Sequence, residues 1–363
     1  MVSAVGDQVT VIGLQGVRDS FIGRVASRVK RILAPTEDWY AGDQGTARGL
    51  LRLIGSKDVA IVTLDNSITL IRELRECGFR APIVLVQHGA NHFSYGQDVN
   101  KVIENTVLLS WGERECESYS LRGLRPSDIV AVGSILNQQY LDSAHGDLSA
   151  EIVADICLVS EFRLDQEDQS DDYMRSRTAS WELLLKLVQE ASHRIPLKIA
   201  VALRPTIFGG GDAPDKQLAY FRDRLGPAIV FSDPRTPFAS YHLIDQADIT
   251  LGLQSALLVE SVARGRKVLF CNPLGDDRMT SPVAGVCAFS GNDLTRFIER
   301  LQELKTLSTP EYRARLEKSP DYLVATQISP TVALRRACAM LKSGSSASQI
   351  ASSLARQKRL PMP

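Results

Sequence analysis

The sequence has 363 residues, 44% hydrophobic and 23% charged, and Lys plus Arg equal Asp plus Glu at 42 each. This length exceeds what one hydrophobic core usually serves, so it predicts two domains, and the composition excludes a largely disordered chain. The balanced charge gives no overall field that would attract nucleic acid, so local groups must hold any anionic ligand.

The sequence predicts a cytoplasmic protein. Residues 1–6 lack the basic segment and apolar stretch of a signal peptide, and no window approaches the roughly 20 apolar residues of a membrane-spanning helix. The six cysteines show neither CxxC nor metal-type spacing, which predicts reduced structural thiols.

The first half of the chain alternates short apolar runs with helical patterns, which is typical of a parallel sheet with crossover helices. The apolar runs predict strands at residues 9–13, 58–64, 82–87, 107–110 and 128–132. The helical patterns predict helices at residues 20–33, at about 46–54, at 66–77 and at 113–122. The small, polar segment 143–150 then predicts a linker between domains.

The same alternation restarts after the linker. Strands are predicted at residues 154–160, 197–203, 228–231, 248–251 and 267–271, and helices at about 171–192, 240–246, 255–264, 293–305 and 332–342. We therefore expect domains at residues 1–145 and 151–342, followed by a flexible tail at 343–363. Their carboxyl strand ends should meet at a shared cleft, because open α/β sheets bind ligands at that edge.

Three side chains that follow predicted strands are candidates for catalysis. His88 lies in the turn 87–89, where an imidazole can act as a general base near neutral pH. Glu161 can act as an acid or base if burial raises its pKa, and Asp233 can act as a nucleophile toward an anomeric carbon. The structural alternatives are a hydrogen-bonded histidine, an exposed or Arg163-paired glutamate and a turn-forming aspartate.

The residues around His88 are assigned to the acceptor side of the site. Gln87, Asn91 and His92 are expected to contact an acceptor or line the cleft, although His92 is more typical of a structural residue. Asp65 also ends a predicted strand, but it lies beside residues that can cap the following helix. We therefore interpret Asp65 as structural, with a ligand contact as the alternative.

Helix N-termini in the second half predict a site for phosphate, because their free N–H groups and the helix dipole attract anions. Ser240 and Tyr241 begin one predicted helix, and Gln254 and Ser255 begin the next. Arg204 can add a bidentate contact with a phosphate or a sugar carboxylate. For each serine, simple capping of the helix is the alternative interpretation.

Several motifs resemble those of bacterial surface-carbohydrate glycosyltransferases of the GT-B class: VLVQHG at 84–89, LSWG at 109–112, VGS at 132–134 and VALRP at 201–205, with Ser255 and Glu260. Their order is similar to that in enzymes that use CMP-activated keto sugars, such as Kdo and sialic-type transferases. The resemblance implies an α/β fold of two doubly wound Rossmann-like domains facing a central cleft. It places the acceptor in the first domain and the nucleotide sugar in the second, with Glu260 against the nucleotide ribose. Arg204 and Pro205 stand where many relatives carry His-Pro.

The expected function is transfer of Kdo or a related keto sugar from a CMP-linked donor onto a surface polysaccharide or lipid-linked glycan. No cofactor is expected, and no metal either, because the sequence lacks an Asp-x-Asp motif. Glu161 would be the acid or base, with either Asp233 as nucleophile in a double displacement or His88 as base in a single displacement.

Other functions and partners stay open at this point. The alternatives are a sugar-nucleotide epimerase or polyol-phosphate transferase of the same fold, and a non-catalytic glycan-binding subunit. The basic residues 356–359 are by default a solvated tail, and contact with anionic lipid at the inner face of the membrane is the alternative if the acceptor is membrane-bound. No nucleic-acid partner is expected.

Overall fold

The structure is a computed structural model that describes residues 10–11, 61–65, 68–90, 102–120, 122–143, 152–161, 172–203 and 213–357. These residues form two compact units. The first unit contains the described residues up to Gln138 and from Val324 onward, and the second unit contains those of Gln139–Leu323.

The described elements alternate between strands and helices through most of the chain. The strands are β1 (Thr10–Val11), β2 (Ile61–Leu64), β3 (Ile83–Val86), β4 (Thr106–Ser110), β5 (Ile129–Ala131), β6 (Ala154–Val159), β7 (Ile199–Ala202), β8 (Val230–Phe231), β9 (Ala247–Gly252), β10 (Lys267–Asn272) and β11 (Ala288–Ser290). The helices are α1 (Ile68–Glu76), α2 (Arg114–Ser120), α3 (Ile135–Ser143), α4 (Asp172–Arg194), α5 (Ala213–Leu225), α6 (Ala239–Asp245), α7 (Ala256–Ala263), α8 (Leu294–Thr306), α9 (Thr309–Ala314), α10 (Pro320–Leu323), α11 (Pro330–Lys342) and α12 (Ala347–Gln357).

The first unit is built on a parallel sheet whose described strands have the order β1-β2-β3-β4-β5. Ile83 of β3 lies opposite Ile61 of β2 and Thr106 of β4. Every residue of β3 and β4 is buried, as expected for strands covered on both faces. Because all the strand pairs are parallel, their carboxyl ends lie at one edge of the sheet.

The two faces of this first sheet are covered by different parts of the chain. On one face, Ile83, Leu85 and Leu108 belong to a core cluster with buried residues of α1. On the other face, Val84 and Val107 belong to a cluster with buried residues of α11 and α12. Alternate residues of one strand therefore pack against helices that are far apart in the sequence.

The second unit contains a parallel sheet with the order β11-β10-β9-β6-β7-β8. The chain runs outward from β6 to β8, and β9 then lies on the other side of β6. This reversal makes the second sheet doubly wound, as predicted, with a switch point between β6 and β9. The described strands of the first sheet follow one another in sequence order and show no such reversal.

The end of the chain differs from the expected flexible tail at 343–363. Residues Ala347–Gln357 form α12, in which Ala347, Ile350, Ala351 and Leu354 are buried. Their spacing places them on one face of the helix, and that face covers apolar residues of the first sheet. The described part of the tail, up to residue 357, and the last part of the expected second domain, 151–342, therefore contribute to the core of the first unit.

Among the described residues, no helix is long and apolar enough to cross a membrane.

We expect Ile350→Ala to lower the free energy of unfolding by about 2–5 kcal/mol, because the change leaves a cavity in a packed core. Ser352→Ala, on the exposed side of the same helix, should change it by less than about 0.5 kcal/mol. Urea denaturation followed by circular dichroism measures the free energy of unfolding of both variants. Equal stabilities would contradict the placement of α12 in this core.

Candidate functional site

At the carboxyl edge of the first sheet, a buried aspartate holds a half-exposed histidine. Asp65 follows β2 and His88 follows β3, the neighbouring strand. Asp65 Oδ1 accepts a hydrogen bond from the His88 backbone N at 3.0 Å and lies 2.5 Å from His88 Nδ1. The side chain of His88 is 48% exposed, whereas that of Asp65 is 1% exposed. This geometry leaves Nε2 as the ring nitrogen available to a ligand.

The pair changes the proton affinity of both groups. The hydrogen bond to Asp65 raises the pKa of His88 above its usual value, against the opposing effect of burial. Burial alone would raise the pKa of Asp65, but the hydrogen bond and charge of His88 outweigh it and lower that pKa. The arrangement therefore strengthens the imidazole as a base while Asp65 stays ionised.

A third residue, Tyr119 of α2, completes the surroundings of Asp65. Its hydroxyl donates a hydrogen bond to Asp65 Oδ2, and the whole side chain is buried. Burial and the nearby charge of Asp65 raise the pKa of Tyr119 well above its usual value, so the phenol stays a donor.

Gln87 fixes the turn that carries His88. Its Nε2 donates to the Gly89 carbonyl oxygen at 2.8 Å, and its Oε1 accepts from the Trp111 backbone N at 2.7 Å. The indole Nε1 of Trp111 also donates to the Gln87 carbonyl oxygen. Gln87 is buried and holds this turn in place, and the acceptor contact expected of it stays a prediction. Asn91 and His92 lie outside the described residues.

In the second unit, Glu161 follows β6 at the switch point of the sheet. Its side chain is only 5% exposed, and Oε2 accepts a hydrogen bond from Arg177 of α4. The other oxygen, Oε1, is buried and has no hydrogen-bond partner among the described residues. A buried carboxylate oxygen left without a donor is uncommon and marks a candidate ligand contact. Arg163, the partner considered from the sequence, is outside the described residues.

Asp233 has the turn-forming role rather than a buried one. It is exposed, Oδ1 accepts from the Arg235 backbone N at 2.9 Å, and Oδ2 accepts from Thr236 Oγ1 at 2.9 Å. These two hydrogen bonds lower the pKa of Asp233. It follows β8, which β7 separates from β6, and two strand spacings correspond to about 10 Å. Glu161 and Asp233 therefore share one sheet edge without being neighbours.

The serine expected to begin α6 ties this helix to a strand. Ser240 Oγ donates to the Leu203 carbonyl oxygen at 2.8 Å, and Ser232 Oγ accepts from the Leu203 backbone N at 2.8 Å. The helix begins at Ala239, and its N-cap Phe238 has φ 59° and no side-chain capping bond. Ser240 therefore lies one residue inside the helix with its hydroxyl bonded to the chain after β7, and the anion contact expected of it stays a prediction. Arg204 lies outside the described residues.

The next helix begins as predicted. Ser255 is the N-cap of α7, and its Oγ accepts from the Leu257 backbone N at 3.3 Å. Gln254 is buried, where Oε1 accepts from Tyr173 at 2.6 Å and Nε2 donates to the Arg278 carbonyl oxygen. Of this predicted pair, only Ser255 is the N-cap, and Gln254 links α4 to the segment that follows β10.

Tyr241 and Glu260 contact each other instead of facing solvent. The Tyr241 hydroxyl donates to Glu260 Oε2 at 2.7 Å, and Glu260 is 1% exposed. The guanidinium of Arg264 lies 5.0 Å from the centre of the Tyr241 ring. Glu260 is thus bound within the second unit, and the ribose contact expected of it stays a prediction.

The sequence did not reveal three residues that bind candidate side chains at the carboxyl edges of the two sheets. They are Asp65, which binds His88; Tyr119, which binds Asp65; and Arg177, which binds Glu161. The position of Asp65 at the end of the strand next to that of His88 was a usable signal, because parallel neighbours bring their ends together. Tyr119 and Arg177 lie within helices, and no spacing singles them out. Among the described residues, no group of three or more His, Cys, Asp or Glu side chains is placed to hold a metal ion.

Two parallel α/β units of this kind define the fold of the GT-B enzymes, which confirms the predicted fold class. The chain is similar to the solved UDP-N-acetylglucosamine 2-epimerase from Rickettsia bellii, with 16% identity, coverage of 92% of this chain and 90% of that chain, and a TM-score of 0.51. It is also similar to the UDP-GlcNAc 2-epimerase from Methanocaldococcus jannaschii, with 12% identity, coverage of 86% and 89%, and a TM-score of 0.48. The sequence matches no family model and no curated protein sequence.

We expect the imidazole of His88 to titrate above the usual value of 6.5 and to return toward or below that value in Asp65→Asn. Because the folded-state pKa is raised, the pair stabilises the fold fully below the unfolded pKa, and this contribution is lost as pH rises through the folded pKa. NMR titration of the five histidines, assigned with His88→Gln, measures both values. An unchanged His88 titration in Asp65→Asn would disprove the coupling.

Proposed function

We propose that the protein is a nucleotide-sugar-dependent glycosyltransferase in which His88 activates the acceptor hydroxyl. The observation that carries this proposal is the pair of Asp65 and His88 at the carboxyl edge of a parallel sheet. This edge is where open α/β folds bind ligands, and the pair presents an imidazole to solvent with its other nitrogen fixed.

In the proposed reaction, His88 Nε2 takes the proton of the acceptor hydroxyl while that oxygen bonds to the anomeric carbon of the donor sugar. The bond from this carbon to the nucleotide phosphate breaks, and the nucleotide leaves with the electron pair. The ionised Asp65 stabilises the imidazolium that forms, as buried carboxylates do for catalytic histidines.

A single displacement is favoured over a double displacement. Both oxygens of Asp233 accept hydrogen bonds within its own exposed turn, so the candidate nucleophile is engaged elsewhere. His88 has a free ring nitrogen and needs no rearrangement to accept a proton. Single displacement would invert the configuration of the anomeric carbon.

The donor nucleotide is assigned to the second unit. Ser255 caps α7, which begins at the loop after β9, and β9 borders β6 at the switch point. Free N–H groups at such a helix start favour a phosphate. Glu161 lies at the end of β6 beside Arg177, and its second oxygen can accept a hydrogen bond from the donor.

The identity of the donor and acceptor rests on the sequence resemblance. It favours a CMP-linked keto sugar such as Kdo, and a surface polysaccharide or lipid-linked glycan made at the cytoplasmic face of the membrane. The similar structure from Rickettsia bellii is named for a UDP-sugar, so CMP and UDP are the two nucleotides to compare.

We expect CMP to raise the melting temperature more than UDP or ADP, because a ligand that binds only the folded state stabilises it by mass action. Differential scanning fluorimetry with CMP, UDP, ADP and CDP-glycerol measures the order, with inorganic phosphate as the control. A larger shift with UDP would reject the CMP assignment alone. A larger shift with CDP-glycerol would favour a polyol-phosphate transferase.

We expect His88→Gln to lower kcat by on the order of a hundredfold or more while nucleotide binding is retained, because general-base catalysis contributes that much. Asp233→Asn should stay within about threefold of the parent, because its carboxylate serves a surface turn. The readout is release of nucleotide from the most stabilising sugar nucleotide, with and without a glycan acceptor. A large loss of kcat in Asp233→Asn, with none in His88→Gln, would reject the single displacement. Conversion of the donor sugar in the absence of an acceptor would favour an epimerase.

A further inference from the structure

The Asp65 carboxylate is held from two sides at the edge of the first sheet. His88 occupies Oδ1 with both its backbone N and its ring Nδ1. Tyr119 occupies Oδ2 through its hydroxyl. Because Asp65 is buried, solvent is not at hand to replace either partner. The orientation of the carboxylate therefore depends on both contacts.

Oδ1 can serve two donors of His88 only while the plane of the carboxylate is fixed. The Tyr119 hydroxyl donates to the buried anionic Oδ2, and its removal would take away a hydrogen bond that holds this plane, so the carboxylate would turn more freely. Such a turn would draw Oδ1 away from Nδ1, since hydrogen bonds weaken steeply with misalignment. The imidazole would then lose the contact that fixes its orientation.

A second contact connects the turn of His88 to the segment that carries Tyr119. Tyr119 lies in α2, and Trp111, which precedes this helix, is bound by Gln87 through two hydrogen bonds. Gln87 and His88 are adjacent in the sequence. The turn of His88 is therefore attached to the segment 111–119 at two points, through Gln87 to Trp111 and through Asp65 to Tyr119.

The charged groups around Tyr119 leave its hydroxyl directed at Asp65. Glu115 on the same helix adds a negative charge near Tyr119, and the guanidinium of Arg122 lies 5.1 Å from the centre of its ring. Burial keeps the phenol from touching a substrate. An effect of Tyr119 on a reaction through this hydroxyl would act by way of Asp65 and His88.

We propose that Tyr119 is a positioning residue that fixes the tautomer and orientation of His88 by holding the second oxygen of Asp65. In this state, Nδ1 carries the proton that faces Asp65, and Nε2 presents its lone pair to the substrate. The inference deepens the proposed function and rests on it for its catalytic meaning. The geometry of the imidazole can be measured without any substrate.

The test is Tyr119→Phe in the full chain, observed by ¹⁵N NMR of the histidine rings. The Nδ1–H tautomer should predominate in the parent protein and decrease in the variant, because which nitrogen is protonated follows from its hydrogen bond. The titration midpoint of His88 should fall toward that of Asp65→Asn. Transfer activity should decrease on the order of tenfold, with the KM for the nucleotide sugar largely unchanged, as for outer residues that orient a functional histidine.

Tyr140→Phe is the matched control. Tyr140 is a buried tyrosine of the second unit whose hydroxyl donates to Asp245 Oδ2 at 2.8 Å. The same hydroxyl is removed from a tyrosine–aspartate pair, so a general loss of stability is reproduced. The tautomer and titration of His88 should stay as in the parent protein. An equal change of His88 in both variants would overturn the proposal.

Incorporation of 3-fluorotyrosine at position 119 provides a variant of nearly unchanged shape in case Tyr119→Phe does not fold. It keeps the hydroxyl and makes it a stronger donor, so the Nδ1–H tautomer should be retained or enriched. A decrease would mean that Tyr119 competes with His88 for Asp65 and would overturn the proposal. A rise in the His88 midpoint in Tyr119→Phe, or no change, would overturn it as well.

The positioning role of Tyr119 and the transferase function can be rejected independently of each other. Loss of the tautomer in Tyr119→Phe, together with absence of sugar transfer by the parent protein, would retain the positioning role and reject the transferase. Sugar transfer that depends on His88, together with an unchanged tautomer in Tyr119→Phe, would retain the transferase and reject the positioning role.

Discussion

All pairs of neighbouring named strands in both sheets are parallel, and this constraint determines where the candidate site residues lie. Parallel pairing brings the carboxyl ends of successive strands to one edge, where the chain must leave the sheet with its polar groups still to be satisfied. In the first unit that edge joins Asp65 and His88, which are 23 residues apart in sequence. In the second unit, the carboxyl edge carries Glu161 after β6 and Ser255 after β9, and these two strands are neighbours.

Asp65, Glu161 and Asp233 are three carboxylates at these edges. They show that position at an edge does not by itself define what a carboxylate does. Asp65 and Glu161 are buried, so each requires a partner that supplies positive charge or a strong donor. They find these partners in His88 and Arg177. Asp233 is exposed and satisfies itself within one turn. A buried carboxylate constrains its surroundings, whereas an exposed one is compensated by water at little cost.

The features that could be predicted from the sequence are those that depend on local residue patterns. Periodicity and strand length gave the α/β class, most strands and the cap at Ser255, because those features arise within a few residues of each other. The sequence did not reveal the partners of Glu161 or Asp65, since Arg177 and Tyr119 reach them only after helices have packed. It also did not reveal the buried contacts of Gln254, Tyr241 and Glu260. Their polar side chains follow the expected pattern and pack against buried neighbours, and the nucleotide-sugar contacts expected of them stay predictions.

The closing helices α11 and α12 have a consequence for the order in which the protein is made. One face of the first sheet, including Val84 and Val107, is covered by residues encoded more than two hundred positions later. The hydrogen bond from the Ala347 backbone N to Asn105 Oδ1 spans 242 residues. On the ribosome, this apolar face stays uncovered while all of the second unit is synthesised. The unit that emerges first is therefore the last to complete its core, and its valine-rich face is the surface that chaperones must protect in the meantime.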